Sequence, residues 1–239
     1  MRLNFTCLQC PPDVGSKPVS VEIEDHGLYA FGCPAGHRSV HQLGNPKFEI
    51  LFDIGLLAFA DGYTREAVAT FAAAVEEFFR LFVTTVFAKR QMGDDPALPK
   101  LDPFWKLANR AEPQLGAFAA AYMFEKGHAP EFPDQKSTEF RNNVIHRGRI
   151  PKSAEVVEYA EKILGFVVPL YTEFWGSTPM LLATAYQSRK ERRGLTDQPT
   201  AVYFYGSSIH NLITRSGTPT FQQALQFATT QSFLQPAAT

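Results

Sequence analysis

The chain lacks the features of a membrane-spanning, exported or strongly basic protein. No apolar run approaches the roughly 20 residues needed to cross a bilayer. The 23 basic and 24 acidic residues nearly cancel, so the chain as a whole is not drawn to polyanions and any such contact must be local. The first dozen residues contain no apolar core of the kind found in export signals. We therefore expect a soluble, cytoplasmic protein that does not contact membranes.

Cysteine is scarce, and its three positions are crowded into one segment. Cys7, Cys10 and Cys33 are an odd number of thiols in a chain that is long enough to bury a core without disulfides. Cys7-Leu8-Gln9-Cys10 places two thiols one tight turn apart, and Cys33 is followed four residues later by His37. Four soft ligands on two turns suit a tetrahedral metal such as zinc.

The first 45 residues resemble a zinc ribbon or zinc knuckle. The likeness rests on the two turns just described, and it implies a structural zinc ion held by Cys7, Cys10, Cys33 and His37. His41 is the alternative fourth ligand, and three buried free cysteines with a surface histidine are the alternative to any metal site. A catalytic zinc is disfavoured because no carboxylate or open coordination position stands out.

Secondary-structure patterns divide the chain into two parts of different class. Short β-like stretches separated by turn residues come first: Leu3 to Thr6, Val19 to Glu24 and Leu28 to Gly32. From Phe48 onward the apolar spacing is helical, most clearly over Thr64 to Arg90. We predict a mainly α fold with a small N-terminal β module over residues 1–45, a helical domain over 46–195, and a C-terminal extension over 196–239 whose structure the sequence does not specify.

Caps and breakers predict where the remaining helices begin and end. Asp61-Gly62 is expected to break the first helical stretch from the second, and Gly148 to act as a left-handed C-cap. The other predicted boundaries are helix starts at Asp102-Pro103, Glu112-Pro113, Ser137, Ser153 and Thr218-Pro219, a helix over Met180 to Arg193 and a strand over Ala201 to Tyr205.

Arg141 and His146 form the second candidate site. They are five residues apart in Arg-Asn-Asn-Val-Ile-His, which puts them ~140° apart around a regular helix. The two side chains can act on one substrate only if the helix end unwinds or if a second copy of the protein completes the site. A buried arginine that caps helix carbonyls and a surface histidine are the structural alternative.

This segment resembles the HEPN family, whose ribonuclease members carry arginine, a polar residue, a few variable positions and then histidine near the end of a helix. The match is Arg141, Asn142 and His146, and the likeness covers about residues 50 to 175 of a HEPN-type helical bundle. It implies a homodimeric endoribonuclease that brings two Arg-His pairs to one cleft.

The chemistry implied by the resemblance needs no metal. RNA supplies its own nucleophile, the 2′-hydroxyl, so the protein has to move protons and stabilise the phosphate. His146 would be the general base or acid, Arg141 would hold the scissile phosphate, and Asn142 would orient the phosphate or the His146 ring. The products would be a 2′,3′-cyclic phosphate and a 5′-hydroxyl.

Neighbouring charges could extend this site. Arg147, Arg149 and Lys152 form a short basic patch that we predict to contact the RNA backbone, the alternative being a solvated cluster at the helix end. Glu76 or Glu77 could face the site, although plain solvation is the simpler expectation.

The resemblance to the HEPN family implies a metal-independent endoribonuclease that acts as a toxin or anti-phage effector, and an antitoxin or sensor protein could restrain it. The main alternative is a non-catalytic HEPN protein, a zinc-bearing adaptor that binds RNA or a protein through the same cleft. A zinc-dependent nuclease is the third hypothesis.

Overall fold

The computed structural model describes residues 1–10, 18–90, 101–108, 110–132, 134–191, 201–214, 219–230 and 234–235. In these ranges the protein is mainly helical with a small β portion near the N-terminus, as the periodicity predicts. The HEPN identity of the helical part stays a prediction.

Short strands form two three-stranded sheets. The six strands of the described residues are β1 (Arg2–Phe5), β2 (Val19–Glu22), β3 (Leu28–Gly32), β4 (Arg38–Leu43), β5 (Ala201–Tyr203) and β6 (Leu234–Gln235). One sheet has the order β2-β1-β6 and is antiparallel throughout. The other has the order β3-β4-β5, with β3 antiparallel and β5 parallel to β4. Strands β4 and β6 were not predicted.

Helices make up most of the described chain. Their bounds are α1 (Lys47–Ala60), α2 (Thr64–Arg90), α3 (Leu101–Leu107), α4 (Ala111–Lys126), α5 (Gln135–Arg147), α6 (Ser153–Phe174), α7 (Thr178–Glu191), α8 (Ser208–Ile213) and α9 (Phe221–Thr230). Helix α8 was not predicted. The predicted helix end at Arg193 and the helix start at Thr218 lie outside the described residues.

Helices α1 and α2 form a tight hairpin at the centre of the core. The turn between them contains Gly62 in the left-handed conformation with φ of 84°, which a glycine adopts without strain. A Cβ atom at Gly55 would lie 2.5 Å from the ring of Phe71, so the close approach of the two helices requires glycine there. The apolar residues that recur at three- and four-residue steps along α2 are buried, except that Val75 is only partly buried.

The C-terminal residues pack on both parts of the fold. Strand β5 extends the sheet of β3 and β4, while α8 and α9 pack against α1 and α6. A second apolar cluster joins β1, β3 and β4 to Leu57 of α1 and to Tyr205. The predicted boundaries at residues 45 and 195 stay predictions, and the second lies outside the described residues.

Two carboxylates of α1 are buried in this region. Glu49 is 1% exposed and Asp53 is 0% exposed. The backbone N–H of Ser208 donates to Asp53 Oδ1 over 3.1 Å, and the Ser208 hydroxyl donates to the same oxygen. Asp53 thereby fixes the start of α8 to α1.

We predict that Asp53 makes folding stability depend on pH. Burial raises the pKa of Asp53 from 3.8 to about 7, although hydrogen bonds from Ser208 act in the opposite direction. The folded state therefore holds this proton more tightly than the unfolded state, so the stabilisation is complete below pH ~4 and is lost as pH rises towards 7. Relative to the wild type, Asp53→Asn should gain about 3 kcal/mol in unfolding free energy between pH 5 and pH 8.

Urea unfolding of both proteins across this pH range measures the effect. Asp61→Asn, at the exposed end of the same helix, is the matched control and should track the wild type at every pH. An Asp53→Asn difference that stays constant with pH would contradict the prediction.

Candidate functional site

The three cysteines and His37 converge at one end of the strands. Cys7 and Cys10 lie in the turn that follows β1, and the Cys10 N–H reaches the Cys7 carbonyl over 3.4 Å. Cys33 and His37 flank the turn between β3 and β4, which is closed by a 3.0 Å bond from the Cys33 N–H to the His37 carbonyl. Gly36 occupies the left-handed conformation in this turn.

Distances within this group match a tetrahedral metal site. The Cys10 and Cys33 sulfurs are 3.7 Å apart, and His37 Nδ1 lies 3.8, 3.5 and 3.6 Å from the sulfurs of Cys7, Cys10 and Cys33. Zn–S and Zn–N bonds of ordinary length in a tetrahedron place sulfurs about 3.8 Å apart and sulfur and nitrogen about 3.6 Å apart. All four ligand atoms lie within 4.8 Å of one another. Cys7, Cys10, Cys33 and His37 are therefore close enough to bind one metal ion.

His41 is excluded as the fourth ligand by its position. It is 1% exposed on β4, and its ring packs against the rings of Phe5 and Phe31 at centroid distances of 5.5 and 4.9 Å. Burial lowers the pKa of His41. The alternative that the sequence leaves open is thus resolved in favour of His37.

The electrostatics of the thiols favour a cation among them. Burial opposes ionisation of Cys7, but hydrogen bonds from the Gln9 backbone, Ser39 and the other cysteines outweigh it and lower its pKa to about 6. Burial and the neighbouring sulfurs raise the pKa of Cys10 to about 11. A thiolate at one position therefore discourages a second one unless a positive charge lies between them.

Arg141 lies half-buried on α5 and is held by two acceptors. One guanidinium nitrogen donates to the Glu76 carboxylate of α2, and another donates to Asn142 Oδ1 over 3.0 Å. The side chains of Arg141 and Glu76 are 21% and 32% exposed. Burial raises the pKa of Glu76, while the charge of Arg141 acts to lower it. The expectation that Glu76 is simply solvated is wrong.

His146 is exposed in the last turn of the same helix. Helix α5 continues through Arg147 and ends at Gly148, which has φ of 69° as predicted for a left-handed C-cap. The end of α5 therefore does not unwind. This removes one of the two ways in which Arg141 and His146 could act on one substrate. Among the described residues no hydrogen bond or ion pair joins Arg141 to His146. A single chain brings Arg141, Asn142 and Glu76 together and leaves His146 apart.

The predicted basic patch is partly neutralised. Arg149 forms an ion pair with Glu155 and its guanidinium lies 5.5 Å from the ring centroid of Phe140. Arg147 donates to the amide oxygen of Asn143 over 3.1 Å, and Lys152 is exposed. Helix α6 starts at Ser153 as predicted, with Lys152 at the N-cap position, and the backbone N–H of Lys152 donates to the Glu155 carboxylate over 2.9 Å.

Neither the helices nor comparison with known proteins adds a functional clue. None of the helices in the described ranges combines the length and apolarity that a membrane span requires. No protein-family model, curated protein or solved structure matches the chain. The geometry of the site therefore carries the functional assignment.

We predict that the protein binds one divalent metal ion per chain through the Cys3His group. Titration of the metal-free protein with Co²⁺ should give thiolate-to-metal absorption that saturates at one equivalent. His37→Ala should weaken binding at least about tenfold because one of four ligands is lost. His128→Ala, an exposed histidine on another part of the chain, should bind as the wild type does. Unchanged affinity in His37→Ala would refute this ligand set.

Proposed function

We propose that the protein is a metal-independent endoribonuclease whose active site is completed by a second copy of the chain. One observation carries the proposal. A half-buried arginine is fixed in orientation by Glu76 and Asn142, and an exposed histidine follows on the same helix with no partner among the described residues. A positioned cation and an accessible proton-transfer group are what cleavage through the 2′-hydroxyl requires.

The need for a second copy follows from helical geometry. Because α5 stays regular through Arg147, the Arg141 and His146 side chains diverge by ~140° around its axis. Two α5 helices related by a twofold axis would place Arg141 of one protomer opposite His146 of the other. The dimer would then contain two equivalent pairs of Arg141 and His146. The homodimer is part of the proposal for this reason.

In the proposed reaction His146 removes the proton of the 2′-hydroxyl, and the oxygen then attacks the adjacent phosphorus. The 5′-oxygen leaves and takes a proton from an acid, a role open to the second His146 of the dimer. Arg141 stabilises the charge that grows on the non-bridging oxygens, and its fork of donors suits this task. Asn142 maintains the direction of the guanidinium. Arg147, Lys152 and, once released from Glu155, Arg149 contact the flanking phosphates.

We further propose that the bound metal is zinc and that its role is structural. All four ligands come from the protein, which leaves no position for water or substrate. The β strands around it are short, so metal binding would supply much of the module's stability. A toxin or anti-phage role in the cytoplasm, restrained by an antitoxin or sensor protein, is consistent with a nuclease of this kind.

We predict that the purified protein cleaves single-stranded RNA in the presence of EDTA and leaves 2′,3′-cyclic phosphate ends. His146→Ala should reduce the cleavage rate at least about 100-fold, since the proton-transfer group is lost. Gel analysis of an end-labelled RNA, with phosphatase sensitivity of the new ends, measures both results. His128→Ala is the matched control and should retain wild-type activity. Cleavage that stops on brief chelation without unfolding would instead support a zinc-dependent nuclease.

A second variant separates catalysis from folding at Arg141. Arg141→Lys keeps the charge but loses the forked contact to phosphate, and we expect cleavage to fall about 10- to 100-fold while circular dichroism is unchanged. If Arg141 serves only to neutralise Glu76, then pairing Arg141→Met with Glu76→Met should restore activity. Recovery of cleavage in that double variant would contradict the catalytic role.

The ion pair between Arg141 and Glu76 also favours the second candidate, a non-catalytic zinc-bearing adaptor. In that case the guanidinium is engaged permanently and organises a surface that binds RNA or a protein. Wild-type protein that binds RNA with measurable affinity but never cuts it would establish this function in place of the nuclease.

A further inference from the structure

A cavity of about 300 Å³ lies on a different face from the proposed nuclease site. It is enclosed by the start of α1, the end of α6, the start of α7 and the connection from β5 to α8. Among the residues that line it are Glu49, Tyr171, Trp175, Phe204, Tyr205 and His210. Trp175 and Phe204 are 43% and 55% exposed and stand at the mouth, while Glu49, Tyr171 and Tyr205 are buried.

Three hydrogen-bond donors hold the Glu49 carboxyl group at the wall of this cavity. Its Oε2 accepts hydrogen bonds from Asn45 over 2.7 Å and from Ser207 over 2.8 Å, and its Oε1 accepts one from the Tyr171 hydroxyl over 2.6 Å. A carboxylate offers about four lone-pair sites, so Oε1 retains room for one more donor. Burial raises the pKa of Glu49 above its usual value, and the three donors and the charge of His210 oppose this effect without cancelling it.

An ionised Glu49 would have no lysine or arginine as its counter-ion in the described part of the chain. No lysine or arginine there forms an ion pair with Glu49 or with Asp53, which lies one turn further along α1. The basic group that faces Glu49 is His210, which favours the charged carboxylate. Isolated buried charges are costly, and a bound cation would remove much of that cost.

The remaining walls of the cavity suit an organic cation. Aromatic faces attract ammonium and guanidinium groups through the ring quadrupole, and tryptophan does so most strongly. The Trp175 ring stands 5.0 Å from the His210 ring at the mouth. Phe204 packs so closely on Gly44 that a Cβ atom there would lie 2.4 Å from its ring, which fixes this wall in place.

We propose that this cavity binds a small organic cation bearing a primary ammonium group, with the ammonium donating to Glu49 Oε1 and the organic part packed against Trp175 and Phe204. The site is separate from Arg141 and His146 and does not depend on the nuclease proposal. Anionic ligands are disfavoured by the Glu49 carboxyl group, which lines the cavity.

The test compares two probes of the same shape with the full-length protein. 2-Phenylethylamine is a cation at pH 7.5, and 2-phenylethanol is its neutral counterpart. Isothermal titration calorimetry should show one amine per chain, bound at least about tenfold more tightly than the alcohol because the charge meets Glu49. Failure of the amine to bind at millimolar concentration, or equal affinity for the two probes, would overturn the proposal.

Three variants locate the binding. Glu49→Gln should abolish the preference for the amine over the alcohol, since it removes the charge but keeps the shape. Trp175→Leu, at the exposed mouth, should weaken amine binding by about 2- to 30-fold. Tyr63→Leu replaces an exposed aromatic residue outside the cavity and should have no effect.

Circular dichroism shows whether each variant is folded. Should Glu49→Gln fail to fold, Trp175→Leu decides the matter, and unchanged amine affinity in that variant would refute the site. Because Trp175 lines the cavity, amine binding should also change its fluorescence in a Trp105→Phe background, and a silent Trp175 would count against the proposal in the same way.

Discussion

The described helical core depends on the burial of helix α2 among its neighbours. This helix packs against α1, α4, α5, α6 and α7, so little of its surface faces water. Carboxylates in its middle part therefore need partners: Glu77 pairs with Arg80 over 2.9 Å, and Glu76 pairs with Arg141 of α5. The second contact links core packing to the candidate catalytic helix, because it sets the direction of the Arg141 guanidinium.

The β portion differs from the helical core because its own apolar interior is small. Leu3, Phe5 and Phe31 pack with one another and with Leu57 of α1 and Tyr205, which come from outside these strands. At the far end of the strands the Cys3His group offers a metal ion a set of ligands already at bonding separations. Packing at one end and coordination at the other are complementary means of holding short strands together.

The sequence predicted the helix bounds and metal ligands that depend on residues close together along the chain. The bounds of α2 follow from apolar residues at three- and four-residue steps, and the end of α5 follows from Gly148. The metal ligands were found because two turns carry them in compact motifs. His37 was the expected fourth ligand and His41 the alternative; the structure separates them, because His37 lies in the turn before β4 whereas the His41 ring packs against Phe5 and Phe31.

Features that depend on distant residues were not predicted. The partner of Arg141 is 65 positions away on another helix; the sequence named Glu76 and Glu77 as residues that could face the site, but it did not predict the ion pair. Strand β4 follows immediately after the metal-binding turn, and its sequence, with Arg38, Ser39, His41 and Gln42, has no apolar alternation that would indicate a strand. The cavity beside Glu49 combines residues from α1, α6, α7 and the β5–α8 connection, an arrangement that only tertiary packing creates.

The strand order has a consequence for biosynthesis. Residues 2–43 supply four strands, yet both sheets take their third strand from residues beyond 200: β5 beside β4, and β6 beside β1. A nascent chain that has exposed only its first half thus presents two open sheet edges and an incomplete apolar cluster. The N-terminal part can therefore reach its final form only after β5 and β6 have been synthesised, when helices α1 to α7 are already complete.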